Sequence, residues 1–222
     1  MTTAPGAFIF DMDGTIVDNM GWHAHVWVDM LADEGLIITP EEFNRQTAGK
    51  TNPVLLRQML GELSDEQVAA FAERKEVRYR ELFRPHLKAI AGLIPFVERA
   101  RALSIPLALA TSAGRANIAY ILAGIGAETL FDAVVSGEEL THSKPHPEIF
   151  LTAAAKLGVP PARCLAFEDA LAGIESARRA GMPVVVITTT ISATEALGLA
   201  GVVQAQADFT ALDPATLQLA TE

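Results

Sequence analysis

The chain carries one pair of carboxylates at Asp11 and Asp13, in Asp11-Met12-Asp13-Gly14-Thr15, and another at Glu168-Asp169. Between them in sequence lie the hydroxyls Thr111-Ser112 and a cation, Lys144, in Ser143-Lys144-Pro145. Asp11, Thr111 and Glu168 each follow a short apolar run, and Lys144 comes just after the loop that follows another. Ligands of open α/β sheets bind beyond the carboxyl ends of the strands, so these groups are expected at one site. Four carboxylates held together repel and resist ionisation. A divalent cation relieves that repulsion, and an all-oxygen donor set suits Mg2+, which keeps waters and substrate phosphate among its ligands. Asp11 and Asp169 are the expected direct ligands.

Phosphoryl transfer gives every one of these groups a task. Mg2+ and Lys144 neutralise the phosphate oxygens, while the Thr111 or Ser112 hydroxyl and nearby backbone donors hold them. Asp11 is placed to attack phosphorus and form an aspartyl-phosphate. Asp13 is placed to protonate the leaving oxygen and then to deprotonate water. Gly14 allows a tight turn directly after the strand. Singly, each motif has a plainer reading: a helix N-cap for Thr111-Ser112, a solvated helix start for Glu168-Asp169, a surface lysine for Lys144. A calcium loop of the EF-hand type fails at Asp11-Met12-Asp13-Gly14, because its glycine would fall at Ile16 and its closing Glu at Trp22. The conjunction at successive strand ends carries the phosphoryl-transfer reading.

Positioning these groups takes a sheet. Phe8–Phe10, Pro106–Ala110, Ala133–Val135, Leu165–Phe167 and Val184–Ile187 read as buried strands, and Val202–Val203 as a short edge strand. Helix-period faces lie between them: Leu93, Phe96, Val97, Ala100; Ile118, Ile121, Leu122, Ile125; Ile149, Phe150, Ala153, Leu157. That alternation predicts an α/β fold with a parallel sheet covered on both faces. Met20 to His86 differs: it is helical throughout, with Val26, Met30, Leu31 and Val68, Phe71, Ala72, Lys75 marking the period. We expect a core of residues 1–19 and 88–222 and a helical insert of residues 20–87, a lid on two hinges. The alternative is that these helices belong to the same core.

Bulk properties narrow the classes. The 222 residues are 50% hydrophobic and 6% aromatic, enough for a sizeable core built mainly from Ala, Leu, Ile and Val. A formal net charge of −10 opposes binding to nucleic acid or an anionic membrane surface. The single cysteine, Cys164, and the absence of a signal-like or membrane-spanning run fit a cytoplasmic protein. A monomer is the default expectation.

Asp11-Met12-Asp13-Gly14-Thr15, Thr111-Ser112, Lys144-Pro145 and Glu168-Asp169 resemble, in order, the four motifs of the haloacid dehalogenase superfamily. The resemblance implies a Rossmann-like core with an inserted helical cap domain and a nucleophilic Asp11 with Asp13 as acid/base. It also implies a Mg2+ held by Asp11, the Asp13 backbone carbonyl and Asp169, with Glu168 as ligand or supporting partner. The superfamily's dehalogenases lack the second Asp, so Asp13 speaks against that chemistry. Asp18, His23, Trp27, Gly173 and Lys144-Pro145-His146-Pro147 further resemble the beta-phosphoglucomutase-like phosphatases and mutases. His23 matches a cap-hinge histidine of the mutases; the alternative is an ordinary residue of the first cap helix. His25 lies on another face of that helix and makes no His-x-His metal pair with it.

True mutases carry a Lys before, and an Arg three after, the cap glycine matching Gly49, where this chain has Ala48 and Asn52, with Lys50 beside the glycine. A mutase must hold the second phosphate of a bisphosphate, so the loss of two cations favours a phosphatase acting on a small phosphorylated metabolite such as a sugar phosphate, with Lys50 touching the substrate. A mutase and an inorganic pyrophosphatase are the alternatives within the group. A non-enzymatic binding module is the alternative outside it, and the retention of both Asp11 and Asp13 argues against it.

Overall fold

The computed structural model describes residues 2–40, 42–43 and 52–220. In chain order its principal elements are β1 (Thr2–Thr3), β2 (Ala7–Phe10), α1 (Met20–Asp33), α2 (Asn52–Leu60), α3 (Asp65–Phe83), α4 (Leu93–Ala102), β3 (Leu107–Thr111), α5 (Arg115–Ile125), β4 (Ala133–Ser136), α6 (Glu148–Leu157), β5 (Cys164–Glu168), α7 (Leu171–Arg179), β6 (Val184–Ile187), α8 (Ala193–Leu197), β7 (Val202–Gln206) and β8 (Leu219–Ala220).

Residues of β2, β3, β5 and β6 are buried throughout, which is why they read as unbroken apolar runs rather than alternating ones. These strands join β4 and β7 in a six-stranded parallel sheet of order β4-β3-β2-β5-β6-β7. The chain winds outward from β2 through β3 to β4, then returns across β2 to β5. The strand order therefore reverses beside β2, the position where such sheets bind ligands. Register aligns Phe10 with Phe167 on one side and with Leu109 on the other, so the residues after Phe10, Phe167 and Ala110 emerge at one edge.

Strand alternation sorts the core. Phe8 and Phe10 point to one face and join Phe96 of α4, Phe167 and Phe209; the Phe10 and Phe167 rings stack at 4.4 Å. Ala7, Ile9, Ala108, Ala110 and Ala166 point to the other, where small side chains let α6 and α7 pack through Phe150, Ala153, Ile174 and Ala177. The core is thus aliphatic on one face but dominated by phenylalanine on the other.

Several boundaries differ from the sequence reading. Pro106 lies outside β3, because without an N–H it offers only its carbonyl, which accepts from Phe8 N at 3.0 Å. Thr111 and Glu168 end their strands instead of following them. The edge strand β7 runs to Gln206 and pairs with β6 through a register shift at Val184/Val185. The antiparallel pair of β1 with β8 carries no pattern that marks it in sequence.

The chain divides into two compact units, Met1–Asp18 with Leu87–Glu222, and Asn19–His86. Within the second, α1 and α3 bury Val26, Trp27, Met30, Leu31 and Val68, Phe71, Tyr79, Phe83. Ser64 opens α3 through a capping box: its hydroxyl accepts from Gln67 N at 3.2 Å, and Gln67 Oε1 accepts from Ser64 N at 2.9 Å. Among the described residues no helix is long and apolar enough to cross a membrane. Cys164 is buried at the start of β5, its Sγ 3.5 Å from Pro160 O, and burial pushes the thiol up to about 11.

Candidate active site

Four chain segments meet at the carboxyl edge of the central strands. Lys144 Nζ donates to Asp11 Oδ1 at 2.5 Å and to Glu168 Oε1 at 2.6 Å, and lies 5.3 Å from the Phe150 ring centroid. Glu168 Oε2 accepts from the amides of Asp169 and Ala170 at 2.9 and 3.1 Å, so both of its oxygens are engaged. Gly173 makes room for that carboxylate: a Cβ there would sit 1.7 Å from Glu168 Oε1.

Asp169 Oδ1 is 3.4 Å from the Thr15 hydroxyl, whereas Oδ2 is buried without a hydrogen-bond partner among the described residues. Gly14 turns at φ +83, and a Cβ on it would come within 2.2 Å of that same Oδ2. An orphaned buried carboxylate oxygen beside a position kept clear of side-chain atoms is costly unless a cation uses it. Carboxylate oxygens of Asp11, Glu168 and Asp169 lie within 4.8 Å of one another, an all-oxygen group that fits a hard metal ion.

The electrostatics point the same way. Burial raises Asp11, and the neighbouring Glu168 and Asp13 charges add to the effect while Lys144 opposes it. Burial likewise raises Asp169, with the Glu168 and Asp11 charges adding to it. Burial alone would lower Lys144, but the Asp11 and Glu168 charges outweigh it and hold the ammonium raised and protonated. One lysine does not balance this group of acids.

The remaining residues named from sequence lie as follows. Asp13 is half-buried and its backbone bridges Val17. Thr111 is buried and its hydroxyl accepts from Ala113 N at 3.0 Å, closing the turn after β3, while Ser112 is exposed. In the helical unit, His23 stacks on Tyr79 at 3.8 Å and its Nδ1 faces Lys75 Nζ at 2.7 Å. Lys50 lies outside the described residues.

Residues 5–181 match the profile of haloacid dehalogenase-like hydrolases. The chain belongs to this family. Among its relatives, protein CbbY of Rhodobacter capsulatus is 35% identical over 81% of this chain and 83% of its own. Fructose-1-phosphate phosphatase YqaB of Escherichia coli K12 is 34% identical over 80% of this chain and 93% of its own. A solved haloacid dehalogenase hydrolase of family IA, variant 3, from Entamoeba histolytica superposes with a TM-score of 0.86 at 31% identity, covering 93% of this chain and 94% of that one.

In this haloacid dehalogenase-like hydrolase, two site residues escaped the sequence reading. Thr189 Oγ1 donates to Gly14 O and Thr190 Oγ1 to Asp169 O, both at 2.5 Å. They follow β6 and tie the turn after β2 to the segment after β5. The strand-end logic used for β2, β3 and β5, applied to Thr188-Thr189-Thr190 after Ile187, would have flagged them.

Proposed function

We propose that this phosphoric monoester hydrolase is a Mg2+-dependent phosphatase for small phosphorylated metabolites of the sugar-phosphate class, working through an aspartyl-phosphate on Asp11. The observation that carries the reading is the convergence of Asp11, Lys144, Glu168 and Asp169 around an orphaned Asp169 oxygen at the switch point of the sheet. Asp11, Asp169 and the Asp13 backbone carbonyl would hold Mg2+, with Glu168 assigned to fixing Lys144. When bound, the ion supplies charge neutralisation for the phosphoryl oxygens and relieves the repulsion between the acids.

Asp11 attacks phosphorus, the ester P–O bond breaks, and Asp13 gives the departing alkoxide its proton. Asp13 then takes a proton from water, whose oxygen attacks phosphorus and returns Asp11 as a free carboxylate with inorganic phosphate. Lys144, held by Glu168, places a positive charge beside the nucleophile and the incoming phosphate. Thr111, Ser112 and the amides after β3 are assigned to the phosphate oxygens. We assign the helical unit, with His23 and Lys50, to recognition of the leaving group. Two comparisons support a phosphatase of this class: the named fructose-1-phosphate phosphatase among the relatives, and Ala48 and Asn52 where mutases carry cations.

Phosphate release from a panel of sugar, polyol and nucleotide phosphates and pyrophosphate tests this. Activity should require Mg2+ and fall to background in Asp11→Asn; full activity in that variant would overturn the nucleophile assignment. Isomerisation of beta-glucose 1-phosphate to the 6-phosphate without phosphate release, followed by NMR, would establish a mutase instead.

A further inference from the structure

The segment bearing Lys144 folds back on itself and brings together a second group of potential ligands that plays no part in the chemistry above. His142, His146 and Glu148 present one ligand atom each within 4.8 Å of one another. Both imidazole Nδ1 atoms face the same carboxylate oxygen, Glu148 Oε2, at 2.9 Å from His142 and 3.9 Å from His146. The two rings stack at 4.2 Å.

This group is built, not merely crowded. Glu148 is fixed by the amides of Thr141 and His142, at 3.0 and 2.8 Å. His146 is anchored through its carbonyl, which accepts from the fully buried Ser176 hydroxyl of α7 at 2.7 Å. His142 and His146 are exposed, so an ion can reach them from solvent.

We propose that His142, His146 and Glu148 form a binding site for a divalent transition-metal ion such as Zn2+, distinct from the Asp11–Asp169 site. Two imidazoles and one carboxylate are a donor set that zinc accepts with a position left for water, whereas Mg2+ prefers oxygen alone. His142 and His146 flank Lys144 two residues away on either side. An ion bridging them therefore clamps the segment that delivers Lys144 to Asp11 and Glu168.

The test is calorimetric titration of Zn2+ into the full chain with Mg2+ in large excess, alongside the ring nitrogen NMR signals of the histidines. One Zn2+ should bind, shifting the signals of His142 and His146, with affinity lowered about tenfold or more in each of His142→Ala, His146→Ala and Glu148→Gln. Failure of the unaltered chain to bind Zn2+ under these conditions, or equal binding by all three variants, overturns the proposal. Phosphatase activity with Mg2+ does not enter the readout, so the outcome is independent of the assignment of the catalytic site.

Discussion

Gly173→Ala puts a methyl group where the Glu168 carboxylate now lies, 1.7 Å from Oε1 and 1.9 Å from Cδ. The carboxylate must move, yet Glu168 is 1% exposed and bonded to Lys144 and two amides. Hydrogen bonds to a charged group contribute about 1.5–3 kcal/mol each, and a carboxylate that shifts without vanishing forfeits roughly half of the three, about 2–4.5 kcal/mol. The better helix propensity of alanine in α7 returns up to about 1 kcal/mol, leaving a net loss of about 1–4.5 kcal/mol. Urea denaturation should show a lower midpoint at unchanged slope. With Lys144 released from one of its two anchors, kcat should fall about 10- to 100-fold. Gly21→Ala is the control: it lies in α1 with nothing among the described residues within 4 Å of an added Cβ, and should leave stability unchanged or raise it by up to about 1 kcal/mol. A Gly173→Ala protein within about 0.5 kcal/mol of the parent, with undiminished kcat, would refute the claim that this glycine exists to seat Glu168.

Mg2+ should stabilise the fold more as pH rises. The carboxyl of Asp11 is raised from 3.8 to about 7 and that of Asp169 from 3.8 to about 9, so in metal-free protein both favour the folded state when protonated. Their contribution is fully present below the unfolded value near 4 and is lost as pH climbs through about 7 and about 9. Thermal melts with Mg2+ and with chelator should therefore diverge more at about pH 8 than at about pH 5; equal divergence would remove these two acids from metal binding. Thr190→Val deletes the donor to Asp169 O, and the Mg2+ concentration for half-maximal activity should rise about 10-fold, at a stability cost of about 1 kcal/mol. Ser64→Ala breaks the capping box of α3 and should lower stability by about 1 kcal/mol in denaturant melts, with kcat unaltered.

The central strands were legible because burial on both faces leaves an uninterrupted apolar run, as at Phe8–Phe10 and Val184–Ile187. The acids were legible as a group because each follows such a run, and a parallel sheet aligns all its carboxyl ends. What escaped depends on contacts with the backbone or on chain reversals. Thr189 and Thr190 act on carbonyls, which every residue possesses, so no partner motif betrays them. His142 and Glu148 meet only because a turn intervenes, and six residues of separation carry no period that announces it. Lys75 fell on the buried stripe of a helical pattern and read as packing, yet it donates to His23 and Glu76. The phenylalanine face escaped for a different reason: Phe209 lies far from Phe8 in sequence and outside any regular element, so composition alone pointed to an aliphatic core.

Cys164 has a use that its chemistry in the folded protein conceals. It is the only thiol of the chain, fully shielded and held protonated, so alkylating reagents find no nucleophile while β5 stays in the sheet. β5 also carries Glu168 at its other end. The rate of alkylation is therefore a clock for the opening of the central sheet, read by mass from a natural probe without any engineered label. Variants that distort only Glu168 should leave that clock running slowly, whereas variants that loosen the whole sheet should speed it, which separates damage to the site from damage to the fold.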